Sequence, residues 1–553
     1  MKNLVRTTTL AGASAVALLS LSACSTDGAA SAADAGAASA SAVPGDAQEL
    51  ARGSSNYVTT LEDTHADADD GEYDADGATT ITLADGASSV DGSGAELDGD
   101  VVTITDPGTY LVSGTLTDGQ LVVDSAADGK VRVVLDGADI TSASSSPVWI
   151  KDADEAVLIL ADGSSNSLSD AKASGEDDEE DDAPNATVYS TADLTIAGAG
   201  SLEVTGVSAD GITGKDGLVV LSGTIDVTAA DDAITGKDYL GIEGGTITVT
   251  AEDDGIKAAN EDEADLGSLA VNGGTITVAA GDDGLKAEGA LTINDGTITV
   301  TRSEESIEAA DIVIAGGTVD VTANDDGINV AGPALLTEST ESTGSTGTGD
   351  SQPPADGERP ERPAGDMGDM GDMGGGPGGP MGGMGGESDT GGALTISGGD
   401  VTVTAEGDGL DSNGSLAITG GTVVVNGPES SGNGAIDVNG SYVIDGGTVY
   451  AGGSAGMLEA PDTDSGQAWL VAALDSTVAA GSTIEVQDDD GTTVGTFTTT
   501  KATGALVVST ADLRDSGSYR FLADGQQVAT ATAGEFTGGG MGGMGGMGGG
   551  PQG

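Results

Sequence analysis

Acidic pairs recur through the middle of this sequence, and a pair of carboxylates can hold a metal ion, share a proton or brace a turn. They read Asp231-Asp232-Ala-Ile, Asp253-Asp254-Gly-Ile-Lys257, Asp282-Asp283-Gly-Leu-Lys286, Glu304-Glu305-Ser-Ile and Asp325-Asp326-Gly-Ile. From Asp232, the second acid of each pair follows at steps of 22, 29, 22 and 21 residues. Hard oxygen ligands in flexible clusters of six to eight suit Ca²⁺. The nitrogen and sulfur ligands that favour Zn²⁺ are missing, because the chain has one histidine, His65, and one cysteine, Cys24. The ten acids of these pairs are therefore the candidate calcium ligands.

Composition narrows the field further. The chain has 553 residues with 17 Lys+Arg against 92 Asp+Glu, a formal charge of −75. Phosphate recognition needs cations, so a nucleic-acid binder is excluded. A lone cysteine rules out internal disulfides, thiolate metal sites and a Cys–His nucleophile. Such an acidic chain repels anions and attracts cations. With 94 glycines and only 3 Phe, 2 Trp and 8 Tyr, an aromatic-rich core is excluded over most of the length.

The elements that must position the acids are short strands. Each acidic pair alternates with a second motif: Gly223-Thr-Ile-Asp-Val, Gly245-Thr-Ile-Thr-Val, Gly274-Thr-Ile-Thr-Val, Gly296-Thr-Ile-Thr-Val and Gly317-Thr-Val-Asp-Val. Alternation of β-branched and polar residues predicts strands with one buried face. No stretch of ten or more residues has helical spacing. An all-β unit of about 22 residues holding three short strands, and returning to the same place, predicts one coil of a parallel β-helix. Small aliphatic ladders then form the core. About eight or nine coils, spaced about 4.8 Å apart, make a rod on the order of 40 Å long.

Domain boundaries follow from shifts in composition. Lys2 and Arg6 precede an apolar stretch at about residues 10–21, too short to span a bilayer as a helix. It closes with Leu21-Ser22-Ala23-Cys24, which resembles the lipobox of bacterial lipoproteins. Residues 1–23 are thus expected to be a lipoprotein signal peptide and Cys24 the lipidated residue. The protein would then sit on the extracellular face of the cell membrane, touching it only through the lipid. Residues 24–77, rich in Ala, Ser and Asp, read as a disordered tether. Residues 78–332 hold the cap and main coils, and 333–391 form a Pro/Gly/Met-rich disordered insertion. Residues 392–455 are the final coils, 456–537 a small antiparallel β module and 538–553 a Gly/Met-rich tail.

On a β-helix, equivalent positions stack, so the acidic pairs become a column. Two unit charges about 5 Å apart repel by roughly 0.8 kcal/mol in water and about four times more near a protein surface. Either cations offset this, or the acids are turn residues bonded to local amides, with lysines as countercharge. Lys215, Lys237, Lys257 and Lys286 recur on neighbouring coils, but four lysines do not balance ten carboxylates. That deficit favours bound calcium.

The run Gly108-Thr-Tyr110, then Val134-Leu-Asp136-Gly-Ala-Asp139-Ile-Thr141, Asp193-Leu-Thr-Ile196 and the two repeats resemble a bacterial carbohydrate-binding β-helix family related to pectate lyases. The resemblance covers roughly residues 78–455. It implies a right-handed parallel β-helix with calcium among the listed acids, binding a cellulose-like or pectate-like polysaccharide. Separately, the chain is expected to be a monomer. Ala233, in place of the motif glycine, and Glu304-Glu305-Ser306 depart from that pattern. The leading expectation is non-catalytic, calcium-dependent polysaccharide binding. One alternative is a uronate lyase with Lys257 or Lys286 as base; another is a structural adhesin. Neutral glucans would need aromatic platforms, for which Trp149, Tyr110, Tyr189, Tyr239, Tyr442 and Tyr450 are the candidates.

Overall fold

A computed structural model describes residues 57–170, 184–263, 265–332 and 389–536. The signal-peptide segment, Cys24, most of the Pro/Gly/Met-rich insertion and the tail lie outside the described residues. What is described is all-β, with a single 3-10 turn, Leu61–Asp63.

The 22-residue period folds as a solenoid. One coil consists of Thr224–Ala229, Ile234–Gly236 and Tyr239–Ile242, and each strand pairs in parallel with its counterpart one repeat later. On the first face Ile225, Ile247, Ile276, Ile298 and Val319 stack in register. On the second the ladder is Ile234, Ile256, Leu285, Ile307, Ile328 and Leu410. Leu240, Leu269, Leu291, Ile312 and Leu394 complete the third. These residues are buried in one continuous core, built almost wholly from aliphatics. Burial alternates strictly along Thr246–Ala251, which places Ile247, Val249 and Ala251 inside and the threonines outside. The acidic stretch around Asn260–Asp265 and the long insertion leave these ladders intact: Ile312 pairs with Leu394, and Val321 with Val403.

Glycine begins each Gly-Thr strand because the chain turns there through positive φ. At Gly274 φ is +91°, and an added Cβ would lie 3.0 Å from Gly245 O of the preceding coil. Gly274→Ala should therefore lower stability by about 1–3 kcal/mol, read as an earlier thermal transition. An unchanged transition would show that the coil shifts at no cost.

At the start of the solenoid, Thr79–Ala84 pairs in parallel with Gly108–Leu116 and antiparallel with Ser89–Asp91. At the far end, Thr448–Gly453 pairs antiparallel with Thr503–Ser509, which also pairs with Trp469–Val478. Thr493–Thr498, Thr483–Asp488, Ser518–Ala523 and Gln526–Thr532 form a separate four-stranded antiparallel sheet. Phe497, Tyr519 and Phe521 are buried beside that sheet, in a second core cluster.

The expectation of a disordered tether through residue 77 fails for its last part. Residues 57–77 lie along the solenoid as a strap. Val58 N–H donates to Ser268 Oγ at 3.1 Å, and Asn294 Nδ2 donates to Thr59 O at 2.9 Å. His65 Nδ1 lies 2.6 Å from the Tyr239 hydroxyl and 3.2 Å from Asp193, while its Nε2 is 3.0 Å from Thr195 Oγ1. Farther on, Lys130 reaches Asp67 at 3.0 Å and Asp70 at 2.7 Å. The strap has little apolar surface of its own. Polar partners far along the chain hold it, so its local composition carried no sign of order.

Candidate functional site

The acidic pairs occupy the turn between the first and second faces of successive coils. Because Ile234, Ile256, Leu285, Ile307 and Ile328 are in register, the acids two and three residues before them stack as well. The two members of each pair then take different roles. Asp232 Oδ1 accepts the Asp254 N–H at 3.0 Å, and Asp254 Oδ1 accepts the Asp283 N–H at 3.0 Å. Asp326 Oδ1 accepts the Asp408 N–H at 2.5 Å, and Asp408 in turn accepts the Gly434 N–H. Asp232, Asp254 and Asp326 are thus staples between coils, while Asp283 pairs with Lys286 and Glu305 accepts from the Asn329 side-chain amide. Asp232, Asp254 and Asp283 are buried, with Asp254 only 1% exposed. The first acids face outward: Asp231, Asp282, Glu304 and Asp325 are exposed and Asp253 is half-buried.

Two of the four candidate countercharges enter this column. Lys257 Nζ lies 2.8 Å from Asp254 and 3.3 Å from Asp232. Lys286 Nζ lies 2.6 Å from Asp283 and 3.0 Å from Glu308. Lys237 instead lies 3.7 Å from the exposed Asp262, and Lys215 stands 6.0 Å from the Tyr189 ring centroid. Lysine countercharge is therefore present for the inner row at Lys257 and Lys286, although the amides bound by Asp232 and Asp254 belong to the next coil and not to their own turn. The outer row lacks that compensation.

Three groups of carboxylates bring oxygens within 4.8 Å of one another: Asp231 with Asp232 and Asp253, Asp254 with Asp282 and Asp283, and Asp283 with Glu305 and Glu308. Seven of the ten sequence candidates are in these groups. Glu304, Asp325 and Asp326 are in none of them. Glu308 was missed because it occupies the position that Lys257 and Lys286 hold on earlier coils. Its signal was present in the aligned repeat, where Ile307-Glu308 replaces Ile-Lys.

Burial dominates the electrostatics of the column. It pushes Asp210 and Glu305 each up to about 7, with neighbouring acids adding to the shift. Asp408 is raised to about 7 for the same reasons. Asp283 is also driven upward by burial and by its contact with Glu308. Burial pulls Lys257 and Lys286 down, but hydrogen bonds to Asp254 and Asp283 overrule it and hold both above the usual ammonium range. Lysines held so firmly protonated are poor general bases, which counts against the lyase reading of Lys257 and Lys286.

The aromatic candidates do not form a platform. Tyr110, Tyr189 and Tyr442 are buried, while Trp149, Tyr239 and Tyr450 are half-buried. Tyr450 stacks on Phe497 at 6.0 Å, and Tyr239 packs against His65. Among the described residues, Tyr73 on the strap is the exposed aromatic, at 38%. No helix among the described residues is long and apolar enough to cross a membrane.

The stretch that carries the acidic column also has relatives. Residues 98–350 match the family of carbohydrate-binding domain-containing proteins. A curated relative described as a carbohydrate-binding domain-containing protein, from Acetivibrio thermocellus, is 42% identical over 128 residues. That match takes in 23% of this chain and 45% of the relative, so the chain spans under half the relative's length. A solved structure of a polysaccharide lyase-like protein from C. thermocellum, a gadolinium derivative, is 33% identical. It covers 44% of this chain and 94% of its own, with a TM-score of 0.38.

Proposed function

We propose that this protein binds polysaccharide without cleaving it, and that calcium held by the acidic column makes the binding possible. The observation that carries this reading is the set of three carboxylate groups on consecutive coils, within a stretch that matches carbohydrate-binding domain-containing proteins. The donors are all hard oxygens, as Ca²⁺ requires. The outer acids Asp231, Asp253 and Asp282 would supply most of the ligation, because the inner row is engaged by backbone amides and lysines.

Because Asp231 and Asp282 are exposed and Asp253 half-buried, an ion they held would be accessible to carboxylates or hydroxyls of a sugar. Acidic polymers would otherwise be repelled by a chain of net charge −75. Uronates such as polygalacturonate fit this bridging role better than neutral glucans, since the six candidate rings are packed rather than presented. Lipidation at Cys24, on the outer face of the membrane, would place the solenoid where such polymers are met.

The test is retention on insoluble pectate and cellulose, with calcium and with chelator. Retention on pectate that chelator abolishes is expected, together with no release of unsaturated, ultraviolet-absorbing products. Retention unchanged by chelator would defeat the calcium reading, and release of unsaturated products would defeat the non-catalytic one.

A further inference from the structure

The strap is fastened to the solenoid by a cluster away from the acidic column. Asp70 is 1% exposed, although it lies in a surface segment. Lys130 Nζ donates to both of its oxygens, at 2.7 and 2.8 Å. The same ammonium lies 2.8 Å from Glu155 Oε1. Lys130 and Glu155 are register partners on adjacent coils, so the solenoid holds lysine and glutamate together and the strap delivers the aspartate. Two further donors hold the Asp70 carboxylate. The Asp67 N–H reaches Oδ2 at 2.7 Å, and Arg132 Nη2 stands 3.5 Å from Oδ1.

Lysine nitrogen touching a buried aspartate, with a second carboxylate touching the same nitrogen, is an arrangement suited to acyl transfer. We propose that Lys130 Nζ and Asp70 Cγ become joined by an amide bond, which fixes the strap covalently to the solenoid, with Glu155 as the proton carrier. Burial pulls Lys130 down, but hydrogen bonds to Asp70, Glu155 and Asp67 outweigh it and hold the ammonium above its usual range. The reaction is therefore slow and runs through the small fraction in which the ammonium has passed a proton to Glu155. Burial raises the proton affinity of that carboxyl. The neutral amine then attacks Cγ. Arg132 and the Asp67 N–H stabilise negative charge on the carboxyl oxygens as the tetrahedral adduct forms. Glu155 returns its proton to one carboxyl oxygen, the newly bonded nitrogen gives up a second proton to the same oxygen, and the adduct collapses with that oxygen leaving as water. One C–N bond forms, one C–O bond breaks, and the ammonium and carboxylate together release one water. No oxidant or co-reactant is needed.

Several features favour this pair over the other lysines. Asp70 and Lys130 are 60 residues apart, so the bond would close a long loop, as a disulfide does in other chains. With Cys24 as its sole cysteine, this chain has no disulfide for the purpose. Lys257 and Lys286, by contrast, pair with aspartates three residues away in the same turn. A bond to those nearest carboxylates would constrain nothing beyond the turn, and the further contacts to Asp232 and Glu308 reach only the adjacent coil. Asp67, the third carboxylate at Lys130, is exposed and sits on the solvent side of the cluster.

Intact mass and peptide mapping of the purified full chain decide the matter. The expected mass is one water below that of the sequence, with one branched peptide joining the segments around Asp70 and Lys130. Lys130→Arg, which keeps the positive charge at that position, and Glu155→Gln should both appear at full sequence mass. Thermal melts would show whether each variant is folded. Asp70→Asn should form the same link with loss of ammonia in place of water. A wild-type protein at its full sequence mass would overturn the proposal. So would a water loss that maps to an Asp-Gly succinimide with Asp70 and Lys130 in separate peptides.

Discussion

Acidifying the calcium-free protein from pH 8 to pH 5 should raise its melting temperature. In an unfolded chain, aspartate and glutamate titrate near 4. In the folded solenoid, Asp210, Glu305 and Asp408 titrate at about 7, chiefly because burial penalises their charged form. Between roughly pH 4 and 7 the native state therefore holds protons that the unfolded state has released. Stability falls with rising pH wherever the folded state binds more protons. This contribution is complete below the unfolded value and is lost as pH rises through the folded one. Each group gives a slope of about 1.4 kcal/mol per pH unit at most. The carboxyls share neighbours, so the three slopes do not simply add. Asp63, Asp67 and Asp85 shift the opposite way, but they are weakly buried or fully exposed and hydrogen-bonded at the surface. Differential scanning calorimetry with chelator, at half-unit pH steps, reads the sign directly. Saturating calcium should flatten the curve from its alkaline side, because a divalent ion can relieve the repulsion that protons relieve at pH 5. A melting temperature that falls from pH 8 to pH 5 without calcium would mean that the buried acids are not the controlling groups.

Much of this was legible in the repeat, and the reason is physical. A solenoid coil meets its neighbours at a fixed sequence step, so one period specifies both the strand register and what stacks on what. Stacking Ile256 on Ile234 also stacks Asp254 on Asp232. What the repeat could not reveal was the division of labour within each pair. That depends on which acid the turn aims inward toward the next coil's amide, and both members have the same residue type. Residues 57–77 were read as unstructured because their partners, Ser268, Asn294, Tyr239 and Lys130, are supplied by distant coils. From sequence, His65 counted only as the single histidine, too few for a zinc site, yet Asp193, Thr195 and Tyr239 surround its ring. Periodicity reports contacts that repeat, and each strap contact occurs once.

The inner and outer acids should separate cleanly under mutation. Asp254→Ala removes the acceptor of the Asp283 N–H and the closer of the two carboxylates beside Lys257. Breaking a buried ion pair by deleting one partner costs about 3–5 kcal/mol. A solenoid transmits that loss to both neighbouring coils, since its stability rests on nearest-neighbour interfaces. Asp254→Asn should lose less, because its amide oxygen can still accept the backbone hydrogen. Replacing Lys257 together with Asp254 should cost less than the two single changes combined, as expected for groups that compensate one another. Asp282→Ala is the contrast. Asp282 is exposed, so its removal should leave calcium-free stability within about 0.5 kcal/mol, while the rise in melting temperature on adding calcium should shrink. Thermal denaturation of these variants, with and without calcium, distinguishes a structural inner row from a cation-facing outer one. If Asp254→Ala and Asp282→Ala lost similar stability in chelator and a similar calcium response, the two rows would not have separate roles.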